Sequence, residues 1–118
     1  MSEQPLTESL YYILLSVVKP NYGYGIMEKI NKLTRGRINM GAGTLYGAIK
    51  ILLEKKYIEL YSEEKVSRKK KEYLITNQGK KVLEEEIKRL EELVKNGKGV
   101  LKWLNLGCIM IKIRKKIF

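Results

Sequence analysis

The chain has 118 residues, the length of a single domain, and carries 24 Lys and Arg against 13 Asp and Glu, a formal net charge of +11. It contains no His and one Cys, Cys108. Those two counts exclude a Ser-His-Asp triad, an imidazole metal ligand, a Cys-rich zinc site and an intrachain disulfide. We therefore expect no enzyme, no metal and no cofactor. Because Glu3 and Glu8 stand where a secretory signal is basic, we expect a cytoplasmic protein.

The excess positive charge is concentrated in two segments. Residues 1–34 are neutral overall, whereas residues 35–76 and 100–118 each carry a net charge of +5. Basic segments of this kind are typical of proteins that bind a polyanion, either nucleic acid or an anionic membrane surface.

Three short helices are predicted in the first half of the chain. The first has one apolar face and Thr7 placed to cap it, and it ends before Lys19-Pro20 because the residue before a proline is disfavoured in the α region. A turn around Asn21, Gly23 and Gly25 leads to the second helix. The third helix has a buried stripe of Leu45, Ala48, Ile49 and Leu52. Three such helices form the core of a helix-turn-helix.

The periodicity then changes to that of β-strands. Residues 57–61 and 72–75 alternate between apolar and polar side chains, and a polar, basic loop joins them. Two strands with a basic loop after a third helix predict a wing. The expected fold is mainly α with a small β-hairpin: a winged helix-turn-helix in residues 1–76, followed by a C-terminal dimerisation helix and basic tail in residues 77–118.

The C-terminal helix, capped by Thr76 or Asn77, has the apolar spacing of a coiled coil. From residue 83 to residue 111, apolar side chains recur at steps of four and three, interrupted only at Gly97. A second copy of the helix would cover this seam, so we predict a homodimer; the alternative is a helix folded back over its own domain. The predicted interface residues are Leu83, Ile87, Leu90, Val94 and Leu101. Gly97 and Gly99 leave the continuity of the helix beyond Asn96 open, because glycine destabilises helix interiors.

Four blocks of the sequence resemble the PadR-like family of transcriptional regulators. They are Gly23-Tyr24-Gly25-Ile26, Gly43-Thr44-Leu45-Tyr46, Lys55-Lys56-Tyr57-Ile58 and residues 73–79, and the similarity extends over about residues 6–95. The resemblance implies a dimeric winged-helix repressor of the short form, often released from DNA by a small molecule. The stretch around Leu90 lacks the Trp with which some short members bind flat aromatic drugs.

The third helix supplies most of the predicted DNA contacts. Opposite its buried stripe, Gly43 and Gly47 expose backbone that would let the helix sit deep in a major groove, or else would let it pack closely on a neighbouring helix. Thr44 either contacts a phosphate, caps the helix, or does both. Tyr46 and Lys50 are predicted to contact base edges or phosphates. Tyr22 and Tyr24 could reach the phosphate backbone or belong to the core, whereas Arg68, Lys69 and Lys70 on the wing are predicted phosphate contacts.

A regulatory ligand would have to act on the spacing of the two recognition helices of a dimer. Tyr11, Leu15, Leu90 and Val94 either line a pocket for a small hydrophobic or aromatic effector or simply fill the dimer core. The leading hypothesis is a homodimeric repressor that binds a palindromic site in double-stranded DNA. The alternative is a winged-helix module that binds a protein or a membrane surface; of these partners, we do not favour the membrane.

Overall fold

A computed structural model describes the backbone of residues 5–63 and 71–117 and the side chains of residues 5–62 and 71–106. The elements follow in the order α1 (Glu8–Ser16), β1 (Asn21–Tyr22), α2 (Gly23–Leu33), α3 (Ala42–Glu54), β2 (Ile58–Glu63), β3 (Lys71–Ile75) and α4 (Asn77–Ile117). This arrangement confirms the predicted mainly α fold with a winged hairpin. The chain forms two compact units, residues 1–86 and 87–118.

The core of the first unit lies between the three short helices and the sheet. Helix α1 begins at the predicted cap, where Thr7 Oγ1 accepts a hydrogen bond from the Leu10 N–H over 3.2 Å, and it ends at Ser16, before Pro20. The fully buried side chains come from all three short helices and include Ile13, Leu14, Val17, Ile26, Ile30, Leu45 and Leu52. Burial of these branched apolar side chains supplies the main driving force for folding of the unit.

The segment after Pro20 differs from the predicted turn. Asn21 and Tyr22 form a two-residue strand that pairs antiparallel with Tyr73 and Glu72 of β3, so the sheet has three strands in the order β1-β3-β2. Gly23 and Gly25 lie in the first turn of α2. A two-residue strand has no periodicity, which is why the sequence pattern does not indicate it.

Helices α2 and α3 end in the same way. After α3, Tyr57 N–H donates to the Leu52 carbonyl and Lys56 N–H to the Leu53 carbonyl, both over 3.0 Å, which is the Schellman arrangement. This arrangement requires a left-handed residue, and Lys56 occupies that position with φ of 63°. Arg35 has the equivalent position after α2, with φ of 51°.

The wing and the start of α4 are tied to each other. Strands β2 and β3 pair antiparallel from Ile58–Ile75 to Glu63–Lys71, with a bulge between Leu60 and Ser62. Thr76 Oγ1 donates to the Lys56 carbonyl over 2.7 Å and accepts from Gly79 N–H over 3.0 Å, so Thr76, one of the two predicted caps, begins α4. Gly79 lies directly against the Tyr57 carbonyl oxygen, where a Cβ would collide with backbone.

Helix α4 runs without interruption to Ile117, through both Gly97 and Gly99. The helix is therefore continuous beyond Asn96, which the sequence left open: two isolated glycines lower the stability of a long helix without ending it. Leu83, predicted for the dimer interface, is 7% exposed and is buried within the first unit, which makes it unavailable to a partner. Ile87 and Leu90 are half-buried, whereas Val94 and Leu101 are exposed.

Candidate nucleic-acid interface

Helix α3 has one buried and one open side. Its predicted stripe of Leu45, Ala48, Ile49 and Leu52 is buried in the core. The opposite side is exposed along its whole length and comprises Gly43, Thr44, Tyr46, Gly47 and Lys50. One helix face anchored in a core and one face free is the arrangement that a recognition helix needs.

The two glycines of this open face do not pack against anything. A Cβ built at Gly43 or at Gly47 would meet no atom within 4 Å among the described residues. The alternative that these glycines serve close packing against another helix is therefore wrong for the described part of the chain. They leave a strip of bare backbone on the surface, at a cost of about 1 kcal/mol each compared with alanine.

Thr44 does not cap the recognition helix. The cap is Gly41, with φ of −79° and ψ of 162°, and a glycine has no side chain with which to hydrogen-bond to the amides that follow it. Thr44 is the third residue of the helix and is exposed. The N–H groups of the first turn of a helix lack partners within the helix and carry partial positive charge. Thr44 thus presents its hydroxyl on the same turn as these amides.

Tyr46 connects α3 to the start of α2. Its hydroxyl lies against the Cα of Gly23, where a side chain of any size would collide with it. Tyr46 as a residue is 47% exposed, so it contacts the start of α2 and is also partly open to solvent. This contact also explains why the first turn of α2 begins with a glycine.

A pair of stacked tyrosines stands beside that contact. The rings of Tyr22 and Tyr24 lie 6.4 Å apart with an interplanar angle of 29°. Tyr22 is half-buried, whereas Tyr24 is 62% exposed. Of the two alternatives, a surface position therefore applies to Tyr24, while Tyr22 lies partly in the core. No side chain caps α2 either, since Tyr22 occupies the cap position without a side-chain hydrogen bond.

Asn21 fixes this region, although the sequence indicated only a turn there. Its Nδ2 donates to the Ser16 carbonyl over 3.1 Å, and its Oδ1 accepts from the Tyr22 N–H over 2.9 Å. The same Oδ1 lies so close to Gly25 that a Cβ there would collide with it. Asn21 therefore ties the end of α1 to the start of α2. The signal in the sequence is an Asn directly after Pro20 and two residues before Gly23.

One basic side chain near these helices, Arg37, is engaged in an ion pair within the chain. Arg37 pairs with Glu8 through two hydrogen bonds, of 3.0 and 3.1 Å. The guanidinium lowers the pKa of the Glu8 carboxyl below its ordinary value, and the carboxylate in turn raises the pKa of Arg37. Both side chains are more than half exposed, so water screens the pair and its contribution to stability is small.

The described part of the wing consists of its two strands, β2 and β3. Ser62 Oγ donates to Glu72 Oε1 over 2.6 Å across the hairpin, which holds the two strands in register beside the loop. Arg68, Lys69 and Lys70, the predicted phosphate contacts, lie outside the described residues.

The residues predicted to line an effector pocket differ in exposure. Tyr11 and Leu15 on α1 are half-buried, as is Leu90 on α4, whereas Val94 is exposed. Within the described residues, no group of three or more His, Cys, Asp or Glu side chains is placed to hold a metal ion. No helix in the part of the chain that the structure describes is both long enough and apolar enough to cross a membrane.

Comparison with known proteins agrees with this geometry. A transcriptional regulator from Clostridium thermocellum has a similar structure, with a TM-score of 0.61 and 26% identity over 80% of this chain and 90% of that one. A PadR family transcription regulator from Clostridium difficile gives a TM-score of 0.63 and 28% identity over 78% of this chain and 97% of that one. A protein from Streptococcus mutans gives a TM-score of 0.65 and 28% identity over 83% of this chain and 92% of that one.

The comparison with curated proteins gave no match. The family model of the transcriptional regulator PadR-like family matches residues 12–85, which include α2, α3, the wing and the start of α4. With the open face of α3 and the three-stranded winged fold already established, the chain belongs to the PadR-like family of transcriptional regulators.

Proposed function

We propose that this regulator is a repressor that binds a palindromic operator as a homodimer, with the open face of α3 in the major groove. The observation that carries the proposal is the bare backbone at Gly43 and Gly47, which faces open space. A helix without side chains on its outer surface approaches the base edges more closely than one with them. Exposed glycines also lower helix stability, and a functional requirement accounts for their presence.

The residues around this strip take complementary roles in the proposal. Lys50 and the exposed part of Tyr46 reach base edges or phosphates, while Thr44 and the uncapped amides of α3 receive a phosphate oxygen. Tyr24, the more exposed member of the stacked pair, donates its hydroxyl to the phosphate backbone, and Tyr22 supports its ring. Arg68, Lys69 and Lys70 add phosphate contacts from the wing.

Dimerisation in this proposal uses the apolar seam of α4. Val94, Leu101 and Leu104 are exposed in the single chain, although each is a large apolar side chain on one helix face. Ile87 and Leu90 extend the same face. Covering the face with the α4 helix of a second copy removes this area from water and sets two recognition helices at a fixed separation.

The last part of the proposal is that a small hydrophobic or aromatic effector releases the regulator from DNA. Its support is chemical: Tyr11, Leu15, Leu90 and Val94 are apolar side chains with one hydroxyl, a combination that suits such a ligand. A thermal-shift screen with aromatic and aliphatic compounds, followed by DNA release, tests this element separately.

The test of DNA recognition is the double substitution Gly43→Ala/Gly47→Ala. Each alanine fits without a clash, so the free energy of unfolding should rise by about 1 kcal/mol per site. The two methyl groups should nevertheless weaken operator binding about tenfold or more, comparable to the removal of one base contact. The operator for this measurement comes from selection of genomic fragments with the unaltered protein.

Gly99→Ala provides the matched control. Gly99 also lies in a helix with no atom within 4 Å of an added Cβ, but it lies on α4. The control should therefore stabilise the protein to a similar extent and leave DNA affinity unchanged. A Gly43→Ala/Gly47→Ala protein that binds its operator as tightly as the unaltered protein would remove α3 from the proposed interface.

A further inference from the structure

Helix α4 carries large apolar side chains on a side that the dimer seam does not use. With a rotation of about 100° per residue, Trp103 and Leu106 both lie about 150° from the centre of the seam that Leu90, Val94 and Leu101 define. Trp103 is 70% exposed and Leu106 is 62% exposed. A two-helix seam covers one face only, so dimerisation through that seam leaves both side chains in water.

Between residues 95 and 106 this outer face carries only positive charge, and Glu92, one turn before Lys95, is the last acidic residue on the same side of the helix. It consists of Lys95, Gly99, Lys102, Trp103 and Leu106, all of which are exposed. The sequence contains no acidic residue after Glu92, and seven Lys or Arg follow it. Gly99 lies one helical turn before Trp103 and removes a side chain that would otherwise flank the indole. A soluble helix normally has a mixture of both charges on such a face.

We propose that the outer face of α4 binds the surface of an anionic lipid membrane. Trp and Leu beside a row of lysines are typical of helices that lie in the plane of a membrane interface, with the apolar side chains in the boundary of the acyl chains and the lysines among anionic headgroups. The indole is particularly suited to that depth, because its ring is apolar and its N–H is polar. The sequence pattern does not favour a membrane partner. The exposure of Trp103 and Leu106 on the side away from the seam favours one.

Charge complementarity selects this occupant over the other candidates. A second copy would bring the same lysines, Lys95 and Lys102, against their equivalents, and like charges repel. A nucleic acid would neutralise the lysines but leave Trp103 and Leu106 in water. An anionic bilayer surface satisfies both features of the face at once.

The chain provides its own reporter, because Trp103 is its only tryptophan. The full-length protein, without DNA, is mixed with vesicles of phosphatidylcholine alone or of phosphatidylcholine with phosphatidylglycerol. Tryptophan emission should shift to shorter wavelength, and the protein should co-sediment, only with the phosphatidylglycerol vesicles. Lys95→Gln/Lys102→Gln should weaken vesicle binding about twenty-five-fold, since each lysine near an anionic surface contributes about a factor of five.

Two variants separate the outer face from the other basic parts of the chain. Trp103→Gln/Leu106→Gln keeps every charge and should reduce vesicle binding at least about tenfold, because apolar insertion is abolished. Lys80→Gln/Lys81→Gln removes two exposed lysines from the start of the same helix and should leave vesicle binding unchanged. Because all four changed positions of the outer-face variants lie outside α3 and the wing, operator binding should be unaffected.

Three results would overturn the inference. The first is an emission shift that depends on protein concentration and not on vesicles, which would identify a second copy as the occupant. The second is equal binding of the protein and of Trp103→Gln/Leu106→Gln to anionic vesicles, which would assign the binding to charge elsewhere. The third is an unshifted emission with no co-sedimentation.

Discussion

Two positively charged residues hold backbone conformations that glycine adopts more easily. Lys56 and Arg35 have φ of 63° and 51° at the ends of α3 and α2, where the closing hydrogen bonds of each helix require a left-handed residue. A side chain in that conformation costs about 1 kcal/mol or more relative to glycine. Local strain therefore accompanies the tight connections on both sides of the recognition helix.

Substitution of Lys56 by glycine tests this strain. We expect Lys56→Gly to raise the free energy of unfolding by about 0.5–1 kcal/mol, because relief of the left-handed strain exceeds the added freedom of the unfolded chain. Lys55, the preceding residue, has an ordinary φ of −77°, and Lys55→Gly should lower the free energy of unfolding instead. Urea unfolding of both variants measures the difference. Equal destabilisation by the two changes would contradict the left-handed assignment.

At the scale of the elements, most of the fold follows from periodicity. The stripe of α3 and the alternation of β2 and β3 are long enough to establish their period, and each forms the predicted element. The strand β1 contains only Asn21 and Tyr22, and pairing with β3 creates it, so only the tertiary structure defines it. In the same way, Gly79 is required by the Tyr57 carbonyl, a contact between residues far apart in the sequence.

The candidate site was predictable to the extent that it depends on one helix. The exposed face of α3 follows from its buried stripe, since opposite sides of a helix are fixed by its period. The contact of Tyr46 with Gly23 depends on how α2 meets α3, and no local pattern encodes that distance. The stacking of Tyr22 on Tyr24 arises where β1 passes into α2, and the strand β1 is itself created by tertiary pairing. Leu83 shows the converse: its spacing matches the seam, but the packing of the first turns of α4 buries it within its own chain.

The wing is the element with the clearest electrostatic prediction. Arg68→Ala/Lys69→Ala/Lys70→Ala should weaken binding to specific and unrelated duplexes by similar factors, because phosphate contacts carry no sequence information. The slope of log affinity against log salt should become shallower by about 0.9 for each phosphate that the wing no longer neutralises. Titrations at several salt concentrations give this slope. The same slope in the triple variant and the unaltered protein would mean that the wing does not contact phosphates.

The seam of α4 gives a second prediction for an element. Val94 is 53% exposed in the single chain, so Val94→Lys should leave the fold intact while placing a charge in the proposed interface. We expect sedimentation to show a monomer and operator affinity to fall. Asn96→Lys introduces the same charge at an exposed position on the other side of the helix and should leave the sedimenting species unchanged. If Val94→Lys sediments as the unaltered protein does, the seam is not the dimer contact.

At the scale of the whole molecule, we propose that two chains bind one DNA duplex as a dimer. A symmetric dimer presents two copies of α3 related by a two-fold axis, and a palindromic site presents two half-sites with the same symmetry. Affinity for the full site then depends on both half-sites lying on the same side of the DNA. The separation of the half-sites in the operator is thus a measurement of the geometry of the dimer.

Insertion of about five base pairs between the half-sites tests this geometry, because it rotates one half-site by about half of the ~10.5-base-pair turn of DNA. The dimer can then engage only one half-site, so affinity should fall to that for an isolated half-site. An insertion of about ten base pairs restores the relative rotation of the half-sites but leaves them further apart. Affinity should then recover only if the dimer allows the α3 helices of its two chains to move apart. The monomeric Val94→Lys protein should bind all these duplexes equally. If the unaltered protein also binds them equally, it recognises DNA as a single copy, and the open face of α3 acts without the symmetry of a dimer.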